Sequence, residues 1–474
     1  MSPRAEEVDG LEVGRRLDRL PWSAFHRRVL LALGITWVLD GLEVTLVGSL
    51  AGALAASPAL RLSPAGQGFA ASAYVLGAVL GSLIFGYLAD RFGRKRLFSV
   101  TLGLYVLGTL ASSVSWSPAS FLVFRALTGT GIGGEYSAIN SAIQELMGPT
   151  YRGRTDIIVN GSFWLGAALG AAASVLFLKP GLLPPDVGWR LALGAGGLLG
   201  LVILRLRRHI PESPRWLVLH GRIPEAVAVV GAIEHEVQYR LGRPLPPPQS
   251  AGAPVRRISF ADAARLMLSR YQRRALLGFT LMASQAFLYN AFFFTYGSVL
   301  LRFYHTAVGG IGWYLLPFAL SNWLGAVLLA RLFDTWGRRR MITATYVLSG
   351  LLMLVVSTLF REHLLTAISQ TAAWAVLFFF ASAAASSAYL TVSEIFPLPV
   401  RATAIALFYT MGTAVGGIFG PAVFGGLIES GSRSALFWGY ALAAALMLLA
   451  GLAEWCLGIA AEGRPLEQVA EVSD

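Results

Sequence analysis

Cysteine is almost missing from this chain: Cys456 is the only one. No intramolecular disulfide can form, and no thiolate metal site can be assembled. Lysine is nearly absent too, with Lys95 and Lys179 alone among 38 basic residues. Charged residues of both signs make up 14% of the chain, where soluble domains carry about 25%. The six histidines (His26, His209, His220, His235, His305 and His363) fall in or beside loops without metal-ligand spacing. No nucleophile, metal or phosphate-loop motif is recognisable. An enzyme is therefore not expected, and neither is a cofactor or a metal. Residues 1–28 lack the apolar stretch and cleavage site of a signal peptide.

What the chain has in abundance is apolar. Hydrophobic residues make up 55% of its 474, and mean hydropathy is +0.62. They are gathered in blocks of about 20, long enough to cross a hydrocarbon core of ~30 Å. Twelve spans are expected, near 29–54, 67–88, 97–115, 119–142, 156–178, 189–206, 275–301, 309–332, 341–360, 364–392, 402–428 and 434–458. A lipid-exposed segment of that length must be helical, because only a helix satisfies its own backbone in a bilayer. The fold class is thus an all-α membrane protein, and its first partner is the lipid bilayer.

The net charge of +12 comes from arginines that punctuate the apolar blocks and form no solvated face, so nucleic acid is not an expected partner. Arg15, Arg16, Arg19, Arg27 and Arg28 precede span 1. Arg91, Arg94, Lys95 and Arg96 follow span 2, Arg152 and Arg154 follow span 4, and Arg338, Arg339 and Arg340 follow span 8. All fall on one side, which the positive-inside rule makes cytoplasmic, together with both termini. The expected location is the cell (inner) membrane, and the expected state is a monomer. Residues 207–273 break the apolar pattern with a Pro-rich run, Arg243 to Pro248, and amphipathic stretches near 224–241 and 259–270. The organisation is then an N-terminus at 1–28, a six-helix bundle at 29–206, a linker with short interfacial helices at 207–273, a second bundle at 274–458 and a tail at 459–474.

The two bundles repeat each other. Gly86-Tyr87-Leu88-Ala89-Asp90-Arg91-Phe92-Gly93-Arg94-Lys95-Arg96 lies between spans 2 and 3, and Ala330-Arg331-Leu332-Phe333-Asp334-Thr335-Trp336-Gly337-Arg338-Arg339-Arg340 lies between spans 8 and 9. A Glu-x6-Arg pair follows span 4 (Glu145, Arg152) and recurs after span 10 (Glu394, Arg401). Two motifs recurring in the same order mark a duplication, and internal repeats in membrane proteins point to alternating-access transporters.

At these residues the chain resembles the major facilitator superfamily over nearly its full length. Further features resemble its sugar-porter branch: Arg125 leading into Gly129-Thr130-Gly131-Ile132-Gly133-Gly134, Pro211-Glu212-Ser213-Pro214-Arg215 after span 6, Ser393-Glu394-Ile395-Phe396-Pro397 at span 10, and Gly463-Arg464-Pro465-Leu466-Glu467 at the tail. Gly133-Gly134-Glu135-Tyr136 is instead similar to phosphate and carboxylate proton symporters, and the tail motif is degenerate at Ala460-Ala461-Glu462-Gly463. The resemblance implies twelve helices in two pseudo-symmetric bundles. It also implies a latch at one set of helix ends, made by Asp90 with Arg94, Asp334 with Arg338, Glu145 with Arg152 and Glu394 with Arg401. The alternative is a basic cluster read only by the insertion machinery.

Ionisable groups deep in a bilayer cost roughly 2.5–3.5 kcal/mol each. At 1.5 Å per residue, Asp40 lies about 16 Å and Glu43 about 21 Å into span 1, with Arg125 of span 4 near their level. Both acids can face that one arginine. Asp40 matches the proton-carrying acid of proton-coupled sugar porters, whose partner there is the arginine. A permanent ion pair fixing helix packing is the plainer reading. Glu135 lies nearer the cytoplasmic mouth and is either a second proton site or a helix-end glutamate. In span 7, Gln285 and Asn290 have the spacing of the hexose-binding amides of sugar porters and offer both donors and acceptors. Tyr389 stands where those porters have Trp, Tyr289 adds a second aromatic hydroxyl, and Asn160 occupies an amide position of span 5. Helix–helix hydrogen bonding is the alternative for each. Trp313, Trp323 and Trp374 are expected at the lipid interface, with lining of the cavity as the alternative, and Gly420-Pro421 is expected to kink span 11.

The function that follows is a secondary transporter with a small-molecule substrate and protons as partners. It would import a sugar-like solute or a small carboxylate by alternating access. A facilitative uniporter or an organic-cation or drug exporter would use the same fold.

Overall fold

The structure is a computed structural model and describes residues 12–62, 64–148, 151–179, 183–206, 212–242, 244–247, 260–307, 310–396 and 398–462. Among these residues there is no β-strand. In chain order the helices are α1 (12–18), α2 (Ala24–Ser49), α3 (Ala51–Ala56), α4 (Pro64–Phe92), α5 (Arg94–Ser113), α6 (Pro118–Leu146), α7 (Arg152–Phe177), α8 (Pro185–Leu206), α9 (Pro214–Leu219), α10 (Ile223–Leu241), α11 (Phe260–Ser269), α12 (Gln272–Phe293), α13 (Tyr296–Tyr304), α14 (Ile311–Thr335), α15 (Arg338–Arg361), α16 (Ala367–Ile395), α17 (Leu398–Gly412), α18 (Phe419–Glu429) and α19 (Arg433–Leu457).

Among the described residues, 11 helical spans are long and apolar enough to cross a bilayer. The twelfth is α6, 29 residues long, which carries Arg125 and Glu135. Leucines, valines and tryptophans such as Leu107, Val355, Trp438 and Leu449 stay exposed on the outward faces. A bilayer covers that surface; water would not tolerate so much of it.

The twelve spans pack as two copies of one plan. In the first half α2 lies on α7, α4 on α6, and α5 on α8. In the second, α12 lies on the α17–α18 span, α14 on α16, and α15 on α19. The halves meet where α7 crosses α14 and where α4 crosses the α17–α18 span. Small residues bring the helices this close. A Cβ on Gly41 would sit 1.8 Å from the Phe163 carbonyl oxygen, and one on Gly129 would sit 1.9 Å from that of Tyr74.

Two spans are interrupted. Span 7 breaks at Phe294–Thr295, where the Thr295 hydroxyl donates to the Ala291 carbonyl and the chain re-enters helix as α13. Such back-bonding by threonine bends helices. The kink expected at Gly420-Pro421 is displaced upstream into a π-helical turn, Thr413–Ile418. Pro421 cannot donate to the carbonyl four residues back and crowds it, and a wider turn relieves that conflict. Trp374 corrects another expectation. It is fully buried against Phe292 and Tyr440, while Trp313 is 63% exposed as an interface residue should be. Residue type alone does not distinguish these two environments.

The linker helices α10 and α11 lie close to where the amphipathic stretches placed them, and α1 and α9 add to them. Helix α1 docks on α10. Glu234 accepts from Arg16 at 2.6 Å and from Arg19 at 2.5 Å, Arg28 pairs with Glu236, and Arg215 bonds Asp18 at 2.8 Å.

The duplicated loops end in matched caps. Gly93 (φ 92, ψ 155) and Gly337 (φ 108, ψ 147) precede α5 and α15 in a backbone region essentially closed to other residues. The first N–H groups of α5, at Arg94 and Lys95, donate to Glu212 at 3.0 and 3.3 Å. That of α15, at Arg338, donates to Glu462 at 3.3 Å. The tail that looked degenerate thus retains the carboxylate that its counterpart uses, which suits the positive end of a helix.

Substituting Gly93→Ala or Gly337→Ala should cost about 1–3 kcal/mol each from backbone strain. Gly93→Ala should cost the more, because its Cβ would fall 2.4 Å from the capping Glu212 oxygen, against 3.0 Å at Glu462. Thermal unfolding in detergent checks both. A pH effect follows from Glu234. Burial opposes its ionised form, but the hydrogen bonds and charges of Arg16 and Arg19 outweigh burial and hold it below its ordinary 4.5. The docking of α1 is therefore complete above about pH 4.5 and is lost as pH falls through the lowered value. Spin-label distances between α1 and α10 should lengthen on acidification, and at neutral pH in Glu234→Gln.

Candidate functional site

A central cavity lies between the halves. Its volume is about 140 Å³. At ~10–15 Å³ for one water, that is room for several waters or a small organic molecule. Six of the residues singled out in the sequence meet there: Asp40 of α2, Asn160 of α7, Gln285, Tyr289 and Asn290 of α12, and Tyr389 of α16. The remaining wall is mostly aromatic, with Trp37, Tyr74, Tyr136, Phe163, Trp164, Phe293, Phe294 and Tyr409. Among the described residues that line it, Asp40 is the one charged side chain.

The rings form a continuous lining. Trp37 stacks on Tyr136 at 4.4 Å and meets Tyr389 edge-on at 5.9 Å. Tyr136 meets Tyr409 edge-on at 4.8 Å. On the opposite wall Trp164 lies 4.9 Å from Tyr289 and 5.5 Å from Phe293. Buried tyrosines need a partner for the hydroxyl. That of Tyr289 donates to Asn322 at 3.0 Å. The amide nitrogen of Asn290 donates to the Ala286 carbonyl at 2.8 Å, and that of Asn160 to the Asp156 carbonyl at 2.8 Å. Asn290 therefore spends one donor on its own helix, while Asn160 also donates to the Asp156 carboxylate at 3.2 Å.

The acids divide differently from the expectation that Asp40 partners Arg125. Arg125 donates to Glu43, whose other oxygen accepts from Thr109 at 3.0 Å. Asp40 accepts instead from the Tyr74 and Tyr136 hydroxyls, one on each carboxylate oxygen. The Tyr74 ring explains the division. It lies over the Arg125 guanidinium at 4.4 Å and so fills the space between arginine and Asp40. The result is a sealed ion pair, Glu43–Arg125, with both side chains 1% exposed or less, behind a hydrogen-bonded acid that faces the cavity.

Glu135 is fully buried but does not line the cavity; Thr101 of α5 donates to it at 2.6 Å. At the helix ends, Arg338 takes Asp334 at 2.7 Å and Glu394 at 3.0 Å. The Arg154 backbone N–H donates to Asp334 at 3.1 Å, a bond between halves. Ser82 and Thr410 join the halves at 2.6 Å. Arg94 is buried, with its N–H on Glu212. The side chains of Asp90, Glu145, Arg152 and Arg401 lie outside the described residues.

Sequence reasoning missed Trp37, Tyr74, Trp164 and Tyr409. Aromatics are common throughout apolar spans, and nothing in a single sequence separates a ring facing a cavity from one facing lipid. A tyrosine near the middle of a span, whose hydroxyl lipid cannot satisfy, was the available signal.

Two six-helix halves around a shared central cavity define a transporter of the major facilitator class. The chain belongs to the sugar (and other) transporter family, whose model matches residues 48–472. It is 28% identical to the niacin transporter NiaP of Acinetobacter baylyi over 69% of this chain and 72% of that protein. It is 26% identical to a gallate transporter of Pseudomonas putida over 93% of this chain and 95% of that one. The proton:xylose symporter XylE bound to 6-bromo-6-deoxy-D-glucose superposes with a TM-score of 0.76, covering 94% of this chain and 98% of that one at 17% identity.

Removing one partner of a buried ion pair leaves the other charge uncompensated. Glu43→Ala and Arg125→Ala should each destabilise the protein by about 3–5 kcal/mol, and the double substitution by much less than their sum. Thermal unfolding of the four proteins in detergent closes the cycle.

Proposed function

We propose that this protein takes up a small planar aromatic or N-heteroaromatic acid together with a proton, by alternating access across the cell membrane. The observation that carries this reading is an aromatic-walled cavity whose one charged lining side chain, among the described residues, is the acid Asp40. Flat rings pack on aromatic walls, whereas a sugar of the same volume would offer hydroxyls to rings over most of its surface. The amides of Asn160, Gln285 and Asn290 are placed to bind a ring nitrogen, a phenol or a carboxyl group. The niacin and gallate transporters among the relatives support the same substrate class.

Coupling follows from charge. A carboxylate ligand cannot enter beside ionised Asp40 without like-charge repulsion in a poorly solvated space. Once Asp40 carries a proton, the repulsion disappears and the carboxyl group becomes a hydrogen-bond donor. Substrate and proton then bind together or not at all. Glu43 and Arg125 form the fixed pair behind this switch, and Glu135 joins α6 to α5 through Thr101. The contact of Asp334 with α7 and its triangle with Arg338 and Glu394 close the cytoplasmic side. The arginine asymmetry supports a cytoplasmic position for both termini.

An organic-cation exporter is the second reading, favoured by an acid facing a cavity that has no described basic residue in its wall. The two differ in sign. Acid symport weakens substrate binding as pH rises, and cation exchange strengthens it.

Proteoliposomes with an alkaline interior should accumulate radiolabelled nicotinate, 4-hydroxybenzoate or gallate, but not xylose. Asp40→Asn should abolish accumulation while leaving exchange partly intact. Full pH-driven accumulation by that variant would overturn the role of Asp40. Gln285→Ala and Asn290→Ala should raise the half-saturation concentration about five- to a hundredfold, the effect of one lost buried hydrogen bond.

A further inference from the structure

Both oxygens of the Asp40 carboxylate accept a tyrosine hydroxyl, but the two tyrosines are held differently. Tyr74 is fixed within the N-terminal half, its ring against Arg125 at 4.4 Å. Tyr136 is held from both halves. One face of its ring stacks on Trp37, 4.4 Å away and 13° from parallel. The ring also meets Tyr409 of α17, in the C-terminal half, at 4.8 Å and 76°. Tyr409 does not bond Asp40; it bears on the ring whose hydroxyl does. Glu43, Arg125, Tyr105 and Tyr389 complete the titratable surroundings of Asp40, and of these only Tyr389 comes from the C-terminal half.

Alternating access moves one half against the other around a central site. A contact made between the halves is kept in one arrangement and broken in another, whereas the Tyr74 contact travels with Asp40. We propose that Tyr136 is a positioning residue that reports the placement of the C-terminal half to Asp40. With Tyr409 seated against its ring, Tyr136 keeps its hydroxyl on the carboxylate. When the halves part, the ring is released and Asp40 retains one donor of the two. Two donors satisfy the ionised carboxylate without a proton; one donor satisfies it less well, so Asp40 takes a proton from the solvent of the open side. The unloaded carrier can then close and return with Asp40 ionised, and an opened one is primed to load.

This inference rests on Asp40 as the proton site, and the test separates the two. Difference infrared spectra of the purified protein in liposomes, recorded against pH, follow the Asp40 carboxyl band, which is identified by its loss in Asp40→Asn. No substrate is needed. Loss of one hydrogen bond to a charged group should move the midpoint of that band toward higher pH by about one to two units in Tyr136→Phe. Tyr409→Leu should produce at least half of that shift, and Tyr409→Phe, which keeps the ring and loses only the hydroxyl that reaches Tyr136, should produce a clearly smaller one. Tyr409→Val replaces Tyr409→Leu if the latter does not purify as a folded monodisperse protein. A wild-type midpoint in the Tyr409 truncation, with the shift confined to Tyr136→Phe, overturns the link between halves. An Asp40 band that never titrates, with nicotinate accumulation intact in Asp40→Asn, overturns the proton-site reading itself.

Discussion

Arg125 is a fully buried cation about two turns into a bilayer-spanning helix, and the way its charge is answered organises the rest of the site. A bilayer offers no water to an unpaired guanidinium. Glu43 meets that demand through one guanidinium nitrogen, and the Tyr74 ring covers one face of the group. Because Glu43 takes this duty, Asp40, one helical turn away, is left to face the cavity. Among the described residues that line the cavity, Asp40 is the one acid. Tyr74 touches both sides of this division, with its ring on Arg125 and its hydroxyl on Asp40.

The duplication gives each half the same framework and leaves the interior free to differ. Both halves build a glycine turn in the same unusual conformation, and both cap the following helix with a glutamate that arrives from a distant segment, Glu212 in one case and Glu462 in the other. The cavity walls are not duplicated. The N-terminal half contributes the charge, the C-terminal half the amides of α12, and both contribute rings. Symmetry suits the movement of the halves, while asymmetry of the lining suits recognition of a ligand and coupling to a proton.

The central contacts between halves are modest in kind: a serine–threonine hydrogen bond, a backbone N–H on Asp334, and aromatic edges. None is a buried charge pair, whose rupture would cost several kcal/mol. Weak, numerous contacts suit an interface that must open and close repeatedly. The strong pairs, Glu43 with Arg125 and Arg338 with Glu394, lie within a half and can stay intact throughout.

By itself the sequence determined the class of molecule. Hydropathy sets the number of spans, arginine asymmetry sets their expected orientation, and two repeated motifs reveal the halves, because each property is written in residue type and spacing along one chain. It also marked Asp40, Gln285, Asn290 and Tyr389, since polar groups inside apolar spans stand out against their background. Partnerships were decided by tertiary structure alone. Asp40, Glu43 and Arg125 lie at similar depth, so depth could not say which acid takes the arginine; the position of one ring on a third helix did. The same holds for Trp37, Tyr136 and Tyr409. An aromatic in a membrane span looks the same in sequence whether it faces lipid, core or cavity, and only the rotation of each helix against its neighbours makes that choice.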